Sequence, residues 1–180
     1  MQLDPTHNYF ELFGEQVDYG IDLEDLHQTQ RKLQSAFHPD RFVNAGEQEK
    51  RLAVQQAALV NEAYETLKDP VKRARYMLEI NGVGLNDDHE TTSDTEFLME
   101  QIELREEMEQ CRSCQDPMRC CDHITGKLNQ RAKEYATQFV DAFQQGEFEV
   151  ARQVSKKMQF VQRIYDHLDE YQLELETDLL

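Results

Sequence analysis

Three groups of residues in this 180-residue chain have types and spacings that can do chemistry. The first is His38-Pro39-Asp40, preceded by the basic pair Arg31-Lys32 and followed at once by Arg41. An exposed aspartate can pair with an arginine across an interface through a charge-assisted hydrogen bond, and a basic helix face can meet an acidic groove. A proline between them stiffens the loop, so less entropy is lost on docking. His38 and Asp40 are not read as a catalytic pair, because residues two apart across a proline rarely share the geometry of a proton relay. The second group is Cys111, Cys114, Cys120 and Cys121, all four cysteines within eleven residues, with His123 close behind. Cys111-x-x-Cys114 has metal-ligand spacing, and thiolates so placed can hold zinc or an iron–sulfur cluster. The second pair is adjacent rather than two apart, which strains a four-thiolate site. The four remain candidate ligands, and no resident metal or cofactor is expected. A cytosolic setting also makes disulfides an unexpected outcome here.

The third group is apolar. In the run that follows Asp94, about 100° per residue puts Phe97, Leu104 and Met108 on one stripe. Leu98, Met99 and Ile102 point elsewhere, and Phe160 stands well off the stripe of its own helix. Met99 and Phe160 are therefore expected at the surface, where apolar patches mark partners.

These groups need helices to position them, and the apolar spacing supplies helices. Asp22 is placed to cap a helix reaching about Phe37, with Leu23, Leu26, Leu33 and Phe37 on its inner face and Pro39 stopping it near His38. A second long helix is expected from about Asn44–Glu47, carrying Leu52, Leu59, Val60, Ala63, Tyr64 and Leu67 inward. Asp69 caps a third with Pro70 in its first position, where a missing N–H costs nothing. Tyr9–Gly14 reads as one or two turns ended by glycine. After the glycine- and polar-rich stretch 82–92, Ser93-x-x-Glu96 fits a capping box. The helix it opens runs to about Gln110, and a middle helix carries Ile124, Leu128, Tyr135, Phe139 and Ala142 to a glycine cap at Gly146. A last helix carries Ala151, Val154, Met158, Val161, Tyr165, Leu168, Leu175 and Leu179 inward.

The expected fold is therefore all-α. Residues 1–80 form an antiparallel helical hairpin with short helices, 81–92 a linker, and 93–180 a three-helix bundle. The chain holds 36 acidic and 19 basic residues for a net charge of −17, and residues 81–180 carry −12 of it. That balance argues against nucleic acid and against anionic membrane as partners. No signal peptide or span-length apolar run is visible, which makes the cytoplasm the expected location.

The His38-Pro39-Asp40 loop, the basic pair before it and the run Asn61-Glu62-Ala63-Tyr64-Glu65-Thr66-Leu67-Lys68-Asp69-Pro70 resemble the J-domain, by which co-chaperones act on Hsp70 ATPases. The resemblance covers residues ~8–78. It implies that His38, Pro39, Asp40, Arg31 and Lys32, with Arg41 beside them, dock on the chaperone and trigger ATP hydrolysis. Together with the run 94–107, the layout resembles the HscB family across residues ~8–175. That likeness implies an HscA-like Hsp70 partner and an IscU-like iron–sulfur scaffold as client. It implies scaffold contacts at Leu98, Met99, Ile102, Glu103, Arg105, Glu106 and Phe160, and no enzymatic activity. The segment around the four cysteines departs from the bacterial family pattern. Two alternatives stay open: a co-chaperone of a general Hsp70, and a metal-binding protein built on Cys111–Cys121.

Overall fold

The computed structural model describes residues 4, 6–43, 45–85, 94–111 and 113–178, with the backbone alone at 39, 176 and 178. It divides into two compact units after Gly82. Among the described residues all regular structure is helical, and no helix is long and apolar enough to cross a membrane.

The first unit is built on α2 (Leu23–Phe37) and α3 (Glu47–Lys68), joined through a 3-10 turn at Pro39–Phe42. Contacts of His27 with Tyr64 and of Gln34 with Asn61 show the two helices antiparallel. Asp22 caps α2 by accepting from the amides of Glu24 and Asp25. Pro39 then ends it, with His38 at the cap. Asp69 accepts from the amides of Val71 and Lys72 to cap α4 (Pro70–Ile80). The short α1 (Tyr9–Phe13) opens on an Asn8–Glu11 capping box and closes at Gly14, whose φ of 76° favours glycine. It stacks Tyr9 on Tyr76 of α4 at 4.4 Å, and the Tyr9 amide donates to the Tyr76 hydroxyl. Phe10, Leu26, Phe37, Val60, Leu67 and Leu78 fill the core, each fully burying a side chain for about 1.5–3 kcal/mol.

Two expected core positions lie outside it. Leu23 is 53% exposed, because it starts α2 at the open end of the hairpin, about 60° off the line of Leu26, Leu33 and Phe37. Leu52 is exposed because the buried line of α3 is Ala53, Gln56, Val60, Ala63 and Leu67, and Leu52 stands about 100° from Ala53. The helix starts at Glu47 behind Gly46, and Asn44 lies outside the described residues.

The second unit is an antiparallel, up-down-up bundle of α5 (Thr95–Cys111), α6 (Pro117–Gln144) and α7 (Phe148–Asp178). Asp94 caps α5 by accepting from the Phe97 amide, and its other oxygen meets Lys157 of α7 at 2.6 Å. The expected cap residue Ser93 lies outside the described residues. Gly146, at φ 73°, turns the chain from α6 into α7, and all five expected residues of α6 are buried. On α7 the buried face is wider than the expected stripe. Tyr165 and Leu175 are only half-buried, while Phe160 and Ile164 are buried; Leu179 lies outside the described residues. The stripe of Val154, Val161 and Leu168 serves one neighbour, and Phe160, about 120° away from Val154, serves α5. Phe160 is 2% exposed and meets Phe97 edge to face at 5.5 Å, so its expected surface position is overturned.

Candidate functional site

On the first unit, α2 presents Arg31 and Lys32 to solvent two turns before it ends. His38 caps the helix, and its Nδ1 accepts from the Asp40 amide at 3.3 Å while lying 3.6 Å from the Asp40 carboxylate. That local closure fixes the 3-10 turn while leaving both side chains in water: Asp40 is 85% exposed. Arg41 folds back, donating through Nη1 to the carbonyl of Ser35 in the last turns of α2. Arg31 and Ser35 are one turn apart on the same line, so Arg41 adds a third cation to that side. The arrangement is a rigid corner with an anionic tip and a cationic flank, suited to charge-assisted pairing rather than to bond making.

On the second unit, α5 packs Phe97, Leu104 and Cys111 inward, seven residues apart. Its opposite side carries two parallel rows at helical spacing: Leu98, Ile102 and Arg105, and beside them Met99, Glu103 and Glu106. All six are exposed, Met99 by 54% and Ile102 by 51%. Large exposed apolar side chains flanked by charge have the make-up of a docking surface. Phe160 does not join them. With Met108 and Ile164 it lies along a groove between α5 and α7, rimmed by Arg105, Arg163 and His167.

The side chains that hold α5 in register were not singled out in the sequence. Glu100 accepts from the Tyr135 hydroxyl at 2.5 Å and pairs with Arg131 at 2.6 Å. Glu107 pairs with Lys127 at 2.6 Å. Lys157 lies over the rings of Phe97 and Tyr135 while holding Asp94. Burial, reinforced by the Glu100 carboxylate, pushes the Tyr135 phenol far above the usual range, so it stays a donor. The Asp94 carboxyl is held below its ordinary value first by Lys157 and then by the Phe97 amide. Opposite charges on successive helices are the signal that could have found these pairs, but only once the helix register was known.

The cysteines depart from expectation. Cys114 and Cys120 are joined in a disulfide, their Cα atoms 6.9 Å apart. The tight turn after α5 and the early start of α6 at Pro117 bring the two face to face, a proximity that sequence separation does not reveal. Cys111 and Cys121 are free, buried thiols with sulfurs 3.4 Å apart, and burial together with the neighbouring Cys111 pushes the Cys121 thiol up.

Two domain families match the chain: the DnaJ domain over residues 8–76, and the HSCB C-terminal oligomerisation domain over residues 93–169. A co-chaperone protein HscB homolog of Vibrio cholerae is 38% identical over 162 residues, covering 90% of this chain and 95% of the relative. The solved structure of chaperone HscB from Vibrio cholerae superposes with a TM-score of 0.84 at 37% identity, over 94% of this chain and 99% of that one. The crystal structure of human co-chaperone protein HscB superposes with a TM-score of 0.85 at 26% identity, over 97% and 86%.

Proposed function

The chain belongs to the HscB family of J-domain co-chaperones, and from that premise we propose that it joins an HscA-like Hsp70 to an IscU-like iron–sulfur scaffold in the cytoplasm, with no enzymatic activity of its own. J-domain co-chaperones work with Hsp70 chaperones, and this chain matches the DnaJ domain over residues 8–76. The finer reading divides the labour between the units. His38, Pro39 and Asp40, flanked by Arg31, Lys32 and Arg41, dock on the chaperone and promote its ATP hydrolysis. Leu98, Met99, Ile102, Glu103, Arg105 and Glu106 hold the scaffold. Phe160 supports that face from beneath, by packing against Phe97, rather than touching the client.

The observation that carries the reading is the placement of two exposed surfaces of opposite character on separate units. A cationic flank with a stiff anionic tip sits on the first; an apolar and acidic helix face sits on the second. The side chains of Arg31, Lys32 and Asp40 on the first, and of Leu98, Met99 and Ile102 on the second, are exposed. Titrating an IscU-like scaffold into the full chain tests the client half. The triple change Leu98→Ala, Met99→Ala, Ile102→Ala is expected to weaken binding by at least about tenfold, since a few buried apolar anchors carry most of an interface's energy. His38→Gln is expected to leave that affinity unchanged. A triple variant that binds as tightly as the wild type would remove the α5 face from the account.

A further inference from the structure

All four cysteines and His123 meet at one corner of the second unit, where α5 ends and α6 begins, and the docking surfaces make no use of them. Cys111 closes α5, and the Cys114 amide donates back to the Cys111 carbonyl at 3.2 Å, curling the chain into a tight turn. One pocket at this corner is lined by Cys111, Cys114, Cys120 and His123, and also by Asp116 and Glu107. Along the chain these read Cys111-x2-Cys114-x5-Cys120-x2-His123. One pair comes from the end of α5 and its turn. The other stands three residues apart on α6, and such residues share a helix face. Three sulfurs and one imidazole are the Cys3His donor set of a structural zinc site. In the oxidised state two of those sulfurs are bonded to each other. Among the described residues no group of three or more His, Cys, Asp or Glu side chains is disposed to hold a metal ion in this state.

We propose that reducing the Cys114–Cys120 bond converts this corner into a site for one thiophilic divalent ion, zinc, held by Cys111, Cys114, Cys120 and His123. Bond and ion exclude each other, so the corner is stapled either covalently or by metal. A dithiol reductant supplies two electrons and two protons; the S–S bond breaks to give two thiols, and the reductant leaves as its own disulfide. Zinc then displaces one proton from each of Cys111, Cys114 and Cys120, and three S–Zn bonds form as three protons pass to solvent. His123 gives the lone pair of a neutral ring nitrogen. Cys121, fully buried behind Cys111, stays a thiol. Soft sulfur donors select zinc or cobalt over magnesium or calcium. This inference stands apart from the chaperone reading.

The test is a cobalt(II) titration of the full chain, reduced with a phosphine under anaerobic conditions and followed by its absorption spectrum, with zinc as competitor. The reduced chain is expected to take one equivalent, with a sulfur-to-cobalt charge-transfer band that zinc abolishes. The disulfide form is expected to show no such band. Removing even an outer-shell partner costs 10- to 100-fold in metal affinity, so Cys114→Ser and His123→Ala should each weaken uptake by at least about tenfold. Cys121→Ser should not. His123 is exposed, so its replacement leaves the packing alone, and the helical circular dichroism of each variant reports folding. A reduced chain without the band, a band in the disulfide form, or uptake indifferent to His123→Ala would each overturn the proposal. Loss of uptake in a folded Cys121→Ser chain would overturn it too.

Discussion

Replacing Phe160 separates a buried supporting role from direct client contact. The ring is 2% exposed and lies edge to face against Phe97, itself buried beneath the exposed rows of α5. Phe→Ala in a core costs about 3–5 kcal/mol, combining lost transfer energy with the cavity left behind. Here one flank of the ring borders the groove of Met108, Arg163 and His167, where water and neighbouring side chains can enter the space. That places the expected cost near the lower end, about 3 kcal/mol. Because the chain has two units, a single global transition is a poor readout, and amide hydrogen exchange on α5 and α7 reads the second unit by itself. At 1.36 kcal/mol per factor of ten, Phe160→Ala should speed the slowest α5 and α7 amides by roughly two orders of magnitude while α2 and α3 amides stay unchanged. Phe160→Leu keeps most of the volume and should cost under about 1.5 kcal/mol, with scaffold affinity near that of the wild type. Tenfold weaker scaffold binding with exchange unaltered, in either variant, would put the ring at the interface and not beneath it.

Three further outcomes follow from the same geometry. Tyr76→Phe leaves the half-buried Tyr9 amide without its acceptor, at a cost of about 1 kcal/mol; a domain of this size should lose roughly 4–8 °C in the first unit's melting, read by calorimetry. The Glu149 carboxyl is drawn down to about 2, first by Arg152 and then by Gln153. A carboxylate depressed by folding stabilises above its unfolded pKa and loses that contribution as pH falls through the folded one. Acid titration by circular dichroism should therefore show Glu149→Gln differing from the wild type at neutral pH, with the gap closing between about 4.5 and 2. Scaffold affinity should fall as salt rises, because the second half carries −12 and screening shortens from about 10 Å at 0.1 M to about 3 Å at 1 M. Affinity indifferent to salt would reduce that charge to a solubility device.

What the sequence made legible was local. Asp22, Asp69-Pro70 and Gly146 act within a turn of themselves, so residue type alone located three helix ends. The exposure of Met99 was also legible, because it stands far from the inward stripe of its own helix; Leu98 and Ile102 are exposed as well, although a wide core face is the commoner setting for a Leu or Ile on a bundle helix. Wherever two helices compete for one face, the periodicity of a single helix misplaces the residue. Phe160 looked exposed when judged against α7's own stripe, but α5 covers it; Leu23 looked buried although the hairpin ends beside it. The Cys114–Cys120 bond and the Glu100–Tyr135–Arg131 cluster depend on register between helices, which no single helix encodes.

The proposed division of labour requires the chaperone-facing and client-facing surfaces to sit on one chain. The direct measurement is steady-state ATP hydrolysis by an HscA-like Hsp70, titrated with this co-chaperone and with an IscU-like scaffold as the proposed client. His38→Gln should abolish stimulation while keeping scaffold binding, and the Leu98/Met99/Ile102 triple variant should keep basal stimulation but lose the increment that scaffold adds. Mixing the two variants should not restore the full scaffold-dependent rate, since neither chain carries both surfaces. Full recovery by the mixture would contradict the account, as would stimulation that survives in His38→Gln.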